Sequence, residues 1–422
     1  MDREGNWMVN WKEKTLGEVT LFITKGIPPK YSDYKSESTI WVLNQKCNRN
    51  FEISYADARL HDYNLKKVPE NKMLMNGDVL INSTGTGTAG RVAQLQNIKK
   101  PTTIDGHMIL LRPTDDIDSL YYGYAIKSCQ SQIEGLAEGS TGQTELNRKR
   151  LQDEVIIRYP VDKQEQKAIA YLLSDLDEKI KINVKINNNL LQQIQLLCRS
   201  WLVDYAPFGY EQPATWSVVP LSLIADFVSG YSYKGAELAD SDIAMATIKN
   251  FDRKGGFKLD GYKEIQPSAK LKPEQHAQLF DTLVAHTDLT QNAEVIGNAE
   301  PILSMSGYND IVFSMDVVKV LPKEGVSRFL IAALLQDGRF KAHALGYVNG
   351  TTVLHLSKKA LPEFELLLPP DLEELAPLAN AVEAMYRKIA DNIDESTHLA
   401  NLRNTLLPRL MSGELDVSNI DL

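Results

Sequence analysis

The run Gly85-Thr86-Gly87-Thr88-Ala89-Gly90 has the spacing Gly-x-Gly-x-x-Gly, comes after a strand-like segment, and has Asp105 further on. That pattern holds a dinucleotide only when a helix starts directly after it, because the pyrophosphate rests on the helix N-terminal N–H groups. The next five residues, Arg91-Val92-Ala93-Gln94-Leu95, read as another strand. A Gly/Thr-rich hairpin loop is therefore expected. Methyl transfer to an exocyclic amine would need Asn/Asp-Pro-Pro-aromatic, but Pro369-Pro370 stands between Leu368 and Asp371. A Mg²⁺ nuclease would need Asp/Glu-x-Lys after its Pro-Asp, and none comes after Pro370-Asp371. The histidines (His61, His107, His276, His286, His343, His355, His398) never fall at zinc-binding helical spacing; His286 and Asp288 read as strand-end polar residues. There is no Walker-type loop and no Gly-x-Ser-x-Gly elbow. Cys47, Cys129 and Cys198 are odd in number and far apart, which argues against a disulfide framework or a cysteine zinc site. The expectation is a non-catalytic chain with no metal and no cofactor of its own.

At 422 residues, with 43% apolar and 24% charged residues, the chain is expected to form two or more globular domains. Its apolar runs are too short to span a bilayer and its first residues are polar, so a soluble, cytoplasmic protein is expected. The net charge of −9 is unevenly spread. Residues 1–160 hold 21 basic and 20 acidic side chains, whereas residues 370–422 hold 4 and 10. Local patches decide nucleic-acid binding, but an acidic chain would gain from basic partners.

The elements that position these residues repeat. Trp11 and Leu16 match Trp216 and Leu221, and Val19 to Gly26 matches Ile224 to Gly230. Pro160, closing Val155–Ile157, matches Pro369, closing Phe364–Leu368. Beyond each proline lies a heptad seam. The first runs through Ile169, Leu173, Leu176, Ile180, Asn183, Asn187, Leu190, Ile194, Leu197 and Trp201. The second runs through Leu378, Val382, Met385, Ile389, Asn392, Ser396, Leu399, Arg403, Leu406 and Leu410. Asn183 and Asn187 correspond to Asn392 and Ser396. Polar seam residues weaken a coiled coil but fix register and partner, so the two helices are expected to pair with each other, antiparallel. Asp162 and Glu165 favour the first helix start. About 40 residues give a rod of roughly 60 Å. In the second helix Pro377 suits the first turn and Pro408 is expected to end it.

The fold class implied is α+β: two globular modules separated by two long antiparallel helices, with a pseudo-twofold internal repeat. The expected division is 1–160, first module; 161–206, first helix; 207–370, second module; 371–422, second helix and tail. Expected strands are Asp78–Asn82, Met108–Arg112 and Val155–Ile157, then Leu283–His286, Ile311–Phe313, Val317–Leu321 and Glu365–Leu368. A helix at Leu120–Gln132 has a counterpart at Arg328–Leu335.

Residues suited to phosphates or base edges cluster after the first glycine of each module. The first offers Lys25, Lys30, Tyr31, Lys46, Arg49, Thr84, Thr86 and Arg91; the second offers Tyr231, Tyr233, Lys234, Lys249, Arg253 and Lys254. On the residues alone, a protein-binding adaptor and a nicotinamide-dependent oxidoreductase stay open as alternatives.

The chain resembles the specificity subunits of type I restriction–modification enzymes over nearly its whole length. The resemblance rests on Pro160-Val161-Asp162-Lys163-Gln164-Glu165-Gln166, on Leu172 through Ile180, and on Arg199-Ser200-Trp201-Leu202-Val203-Asp204-Tyr205. Leu402-Arg403 through Leu406-Leu407-Pro408-Arg409-Leu410-Met411-Ser412-Gly413-Glu414-Leu415 resembles the family's C-terminal signature, and Gly77-Asp78-Val79-Leu80-Ile81 a segment of its target recognition domains. Two departures stand out: Glu165-Gln166 becomes Glu374-Leu375 in the second half, and Asp281 is not preceded by glycine. The resemblance implies that each module reads one half of a split, asymmetric DNA sequence. It also implies that the helices set the unread gap and dock two modification subunits, which carry S-adenosylmethionine and methylate adenine. A restriction subunit can join them in phage defence.

Overall fold

Val79–Asn82 is apolar at nearly every position, as a strand must be when both of its faces are covered. Val79 and Ile81 enter one core with Ile109, Leu111, Tyr121 and Tyr122. Leu80 enters another with Met108, Leu110 and Leu43. This alternation is the two-residue period of a strand. The computed structural model describes residues 10–98, 100–139, 144–253, 255–336 and 338–417. Its residues gather into two compact units, one of 1–178 with 399–422 and the other of 179–398. Each unit holds part of both long helices.

In the first unit a four-stranded antiparallel sheet runs in the order Thr20–Lys25, Met108–Pro113, Val79–Asn82, Val92–Gln94. In the second unit the order is Ala225–Ser229, Val317–Pro322, Thr282–Ala285, Ala299–Pro301, again antiparallel. A parallel pair stands in each: Thr39–Leu43 with Thr102–Ile104, and Ile243–Ala246 with Asp310–Phe313. Each module is closed by its outermost strands, Trp11–Thr15 with Ile156–Pro160 and Ser217–Pro220 with Glu365–Leu368. The helix Ser119–Ser128 has its counterpart in Arg328–Gln336.

The repeat also holds where the sequence departs from it. Asp78 accepts from Met75 N–H at 2.8 Å, and Asp281 accepts from Gln278 N–H at 2.9 Å. The residue before each aspartate is left-handed: Gly77 at φ 91°, and Phe280 at φ 69°. Such a backbone is costly for an aromatic residue. Phe280 is buried against Phe329, with ring centroids 5.2 Å apart, and that packing offsets the strain.

The long helices span Lys163–Leu202 and Ala376–Met411. Asp162 caps the first, its carboxylate accepting from Gln164 N–H at 2.9 Å. The second does not end at Pro408 as expected; it runs through that residue to Met411. Leu407, Leu410 and Met411 lie in the first unit's core, and their burial outweighs one lost helical hydrogen bond. Gly413, at φ 78°, turns the chain out of the helix instead.

Within each unit the helices pack antiparallel. In the first, Ile169 and Leu173 share a core with Leu407 and Leu410, and Asp177 is paired with Arg403. In the second, Ile194, Leu190 and Leu197 meet Leu378, Val382, Met385 and Ile389. The polar seam residues bond crosswise. Asn183 Nδ2 donates to Ser396 Oγ at 3.2 Å, and Asn392 Nδ2 donates to Asn187 Oδ1 at 2.7 Å. Each asparagine thus meets the counterpart of its neighbour, as an antiparallel twofold requires. Among the described residues no helix is long and apolar enough to cross a membrane.

Candidate nucleic-acid interface

The Gly/Thr run is the connection between strands Val79–Asn82 and Val92–Gln94, closed by Gly90 N–H on Asn82 O at 2.8 Å. A strand, not a helix, comes after it, so no helix N-terminus is offered to a pyrophosphate. The loop is stitched to the turn Gln45–Cys47: Thr84 Oγ1 donates to Gln45 Oε1 at 3.1 Å, and Asn82 Nδ2 donates to Gln45 O at 3.1 Å. Buried Asn48 adds bonds to Asn82 Oδ1 at 3.2 Å and Arg91 O at 2.8 Å. On the other side Leu146 N–H donates to Ser83 O at 2.7 Å, and Thr144 Oγ1 to Gly85 O at 3.1 Å. Two loops are thereby clasped beside one turn.

Six of the residues expected to face DNA in the first module gather here. Lys46, Arg49 and Thr86 are exposed, Thr84 and Arg91 are half-buried, and Lys25 is tied to the clasp by its ion pair with Glu145. Arg91 reaches back to Gly87 O at 2.9 Å. Lys30 and Tyr31 lie elsewhere, at the start of the strand Tyr31–Ser32 beside His61, with the Arg59 guanidinium 3.4 Å from the Tyr31 ring centre. Sequence reasoning missed Gln45 and the exposed His107, whose Nδ1 is 2.8 Å from Thr84 Oγ1.

The second module builds the same clasp. Gly297 N–H closes on Ala285 O at 2.8 Å, and Leu356 N–H donates to His286 O at 2.8 Å. The turn Ile248–Asn250 takes the place of Gln45–Cys47, so Lys249 corresponds to Lys46, and both are exposed. Asn298 Nδ2 ties the adjoining segment at Asp252 O, 3.0 Å away, and exposed Arg253 pairs with Glu294 at 3.2 Å. Tyr231 does not face solvent: it is 7% exposed and its hydroxyl donates to Glu237 at 2.6 Å. Tyr233 is half-buried, Lys234 is exposed, and Lys254 lies outside the described residues. Burial holds His286 down at about 4, so it is uncharged at neutral pH. Among the described residues no group of His, Cys, Asp and Glu is arranged to hold a metal.

Glu300 fixes the second clasp from beneath. Its carboxylate accepts from Gly256 N–H at 2.7 Å, and burial pushes its pKa up to about 7. A carboxyl raised in the folded state gives stability that is full below its unfolded pKa and is lost as pH rises through the folded value. Glu300→Gln is therefore expected to raise the melting temperature at pH 8 and to flatten its fall between pH 5 and 8. Thermal melts across that range check this; an unchanged pH slope contradicts it.

Residues 8–192 match a family model described as the type I restriction modification DNA specificity domain. The chain is 26% identical over 439 residues to the type I restriction enzyme MjaIX specificity subunit of Methanocaldococcus jannaschii, covering 98% of this chain and 95% of that one. It is 22% identical over 483 residues to the HindI specificity subunit of Haemophilus influenzae, covering 97% and 100%. Its fold is similar to the crystal structure of a type I restriction-modification system S subunit from M. genitalium, with a TM-score of 0.56, 18% identity, and coverage of 96% and 97%. The family model over residues 8–192 and the relatives aligned along nearly the whole chain agree with the duplicated clasps: the chain is similar to the specificity subunits of type I restriction–modification systems.

Proposed function

We propose that each module reads one half of a two-part, asymmetric DNA sequence, and that the paired helices set the gap and dock two modification subunits. One observation carries this reading. The modules share sheet order, parallel pair and clasp, while the contents of the clasped loops differ. A common frame with unlike loops suits two readers of unlike half-sites. The long helices, with their crosswise polar seam, offer a register-fixed rod. S-adenosylmethionine belongs to the modification subunits, which flip the target adenine to reach its amine. The same assembly can take up a restriction subunit. With a net charge of −9, the chain leaves much of the phosphate neutralisation to these partners.

Co-expression with the modification subunit of the same system, followed by single-molecule mapping of methylated adenines, tests this. The expected result is a two-part motif with a fixed gap. Exchanging residues 1–160 for another module is expected to change one part only. Methylation that does not depend on this chain sinks the reading.

A further inference from the structure

The connection closed by Gly297 is longer than its twin. The closing bond spans residues 82 to 90 in the first module and 285 to 297 in the second, four residues more. The extra length is not slack. Asp288, 3% exposed, accepts from Thr290 N–H and Oγ1 at 2.8 Å each, from Val295 N–H at 2.7 Å and from Ile296 N–H at 3.3 Å. From the other side the half-buried Lys341 ammonium donates to Ala293 O at 3.1 Å, Glu294 O at 3.2 Å and Ile296 O. A carboxylate and an ammonium thus fix the base of the loop through its own backbone. Gln291 Nε2 clasps it to Thr351 O and Thr352 O, the partner loop.

This framework holds up a tip that the fold itself does not use. Leu289 is 69% exposed, and Asn292 is exposed beside it. An apolar side chain at that exposure on a locked loop leaves a large area in water, which contact with an apolar group would remove. An asparagine amide presents both a donor and an acceptor, the pair that matches adenine N7 and N6 in the major groove. The apolar group that accompanies adenine is the 5-methyl of the paired thymine. In the first module the same place holds Gly85, Thr86, Gly87 and Thr88, with neither a side-chain amide to bond an adenine edge through two bonds nor a large apolar side chain.

We propose that the 286–297 loop is the base-reading element of the second module, with Asn292 reading an adenine edge and Leu289 covering the thymine methyl of an A·T pair. Asp288 and Lys341 are positioning residues for that tip. This rests on the specificity role proposed above and deepens it by naming the loop and the base pair.

The test uses the full chain co-expressed with its modification subunit, with methylated adenines mapped genome-wide. Wild type comes first: no methylation dependent on this chain removes the specificity role itself, and this proposal with it. Given a wild-type motif, Asn292→Ala is expected to lower methylation at that motif about tenfold or more and to relax one A·T position in one half only. Asn292→Asp keeps size and exposure but loses the donor, so it is expected to disfavour adenine and admit cytosine at that position. Leu289→Ala is expected to weaken the same or the adjacent position. An unchanged motif in all three variants overturns the proposal. So does a uniform loss over all sites with the motif intact, which would make the loop a backbone contact only.

Discussion

Removing Lys181–Asn187 together with Asn392–His398 is expected to shorten the gap in the methylated motif by about three base pairs while leaving both half-sites unchanged. The two segments face each other in the second unit, where Asn183 bonds Ser396 and Asn187 bonds Asn392. Each is one heptad, so the seam stays in phase on both helices. Seven residues at 1.5 Å make about 10 Å, and B-DNA rises about 3.4 Å per base pair. Removing Lys181–Asn187 alone is a different experiment. Buried Asn392 would lose its partner, and its helix would exceed its mate by two turns. Loss of methylation is expected there. Genome-wide methylation maps of the two variants decide the matter. A paired deletion that is fully active with an unchanged gap contradicts the ruler role of the helices.

The largest stability effect is expected at Arg112→Met. Asp78 and Arg112 are both inside the first unit, with side chains 2% and 13% exposed. The guanidinium meets both carboxylate oxygens, at 2.7 and 3.0 Å, and also bonds the carbonyls of Asn71 and Met73. Burial raises the pKa of Asp78, and its bonds to Arg112 and Met75 N–H only partly offset this. The pair as a whole is then a weak net stabiliser, but removing one member strands a buried charge, at a cost of about 3–5 kcal/mol. Denaturant titration should show that loss. Adding Asp78→Asn to Arg112→Met removes the stranded charge and is expected to restore part of it. Arg328→Met in the second unit is expected to cost less, because Asp281 keeps Lys319 at 3.6 Å. An Arg112→Met loss under about 1 kcal/mol would show that the pair is not buried in solution.

Much of this was legible in the sequence, for reasons that differ by element. The seam was clear because a seven-residue period over four heptads leaves few other ways to bury its side chains. Pro408 misled because local propensity says stop, whereas Leu410 and Met411 have a core to enter beyond it. Phe280 hid the equivalence of the two aspartate turns, since only glycine signals a left-handed residue. Tyr231 resembled a surface aromatic, yet its hydroxyl has a partner six residues on and its ring is covered. The 286–297 loop was invisible for another reason. Its four additional residues break the repeat offset, and its clasp is made with residues near 350, which no local pattern reports.

The membership of the first unit bears on how the protein is made. Leu407, Leu410, Met411 and Val417 share a core with Leu16, Val79, Tyr121 and Leu173. Every residue of the second unit, 179–398, leaves the ribosome between these two groups. At about 5–20 residues per second, the earlier group waits roughly ten to forty seconds for the later one. The unit begun first is thus the last to close, and in the interval its apolar helix face is bare. A nascent chain of this kind is open to chaperones, or to a partner subunit that binds before release, and stalled or truncated products should be recognised by that same uncovered face.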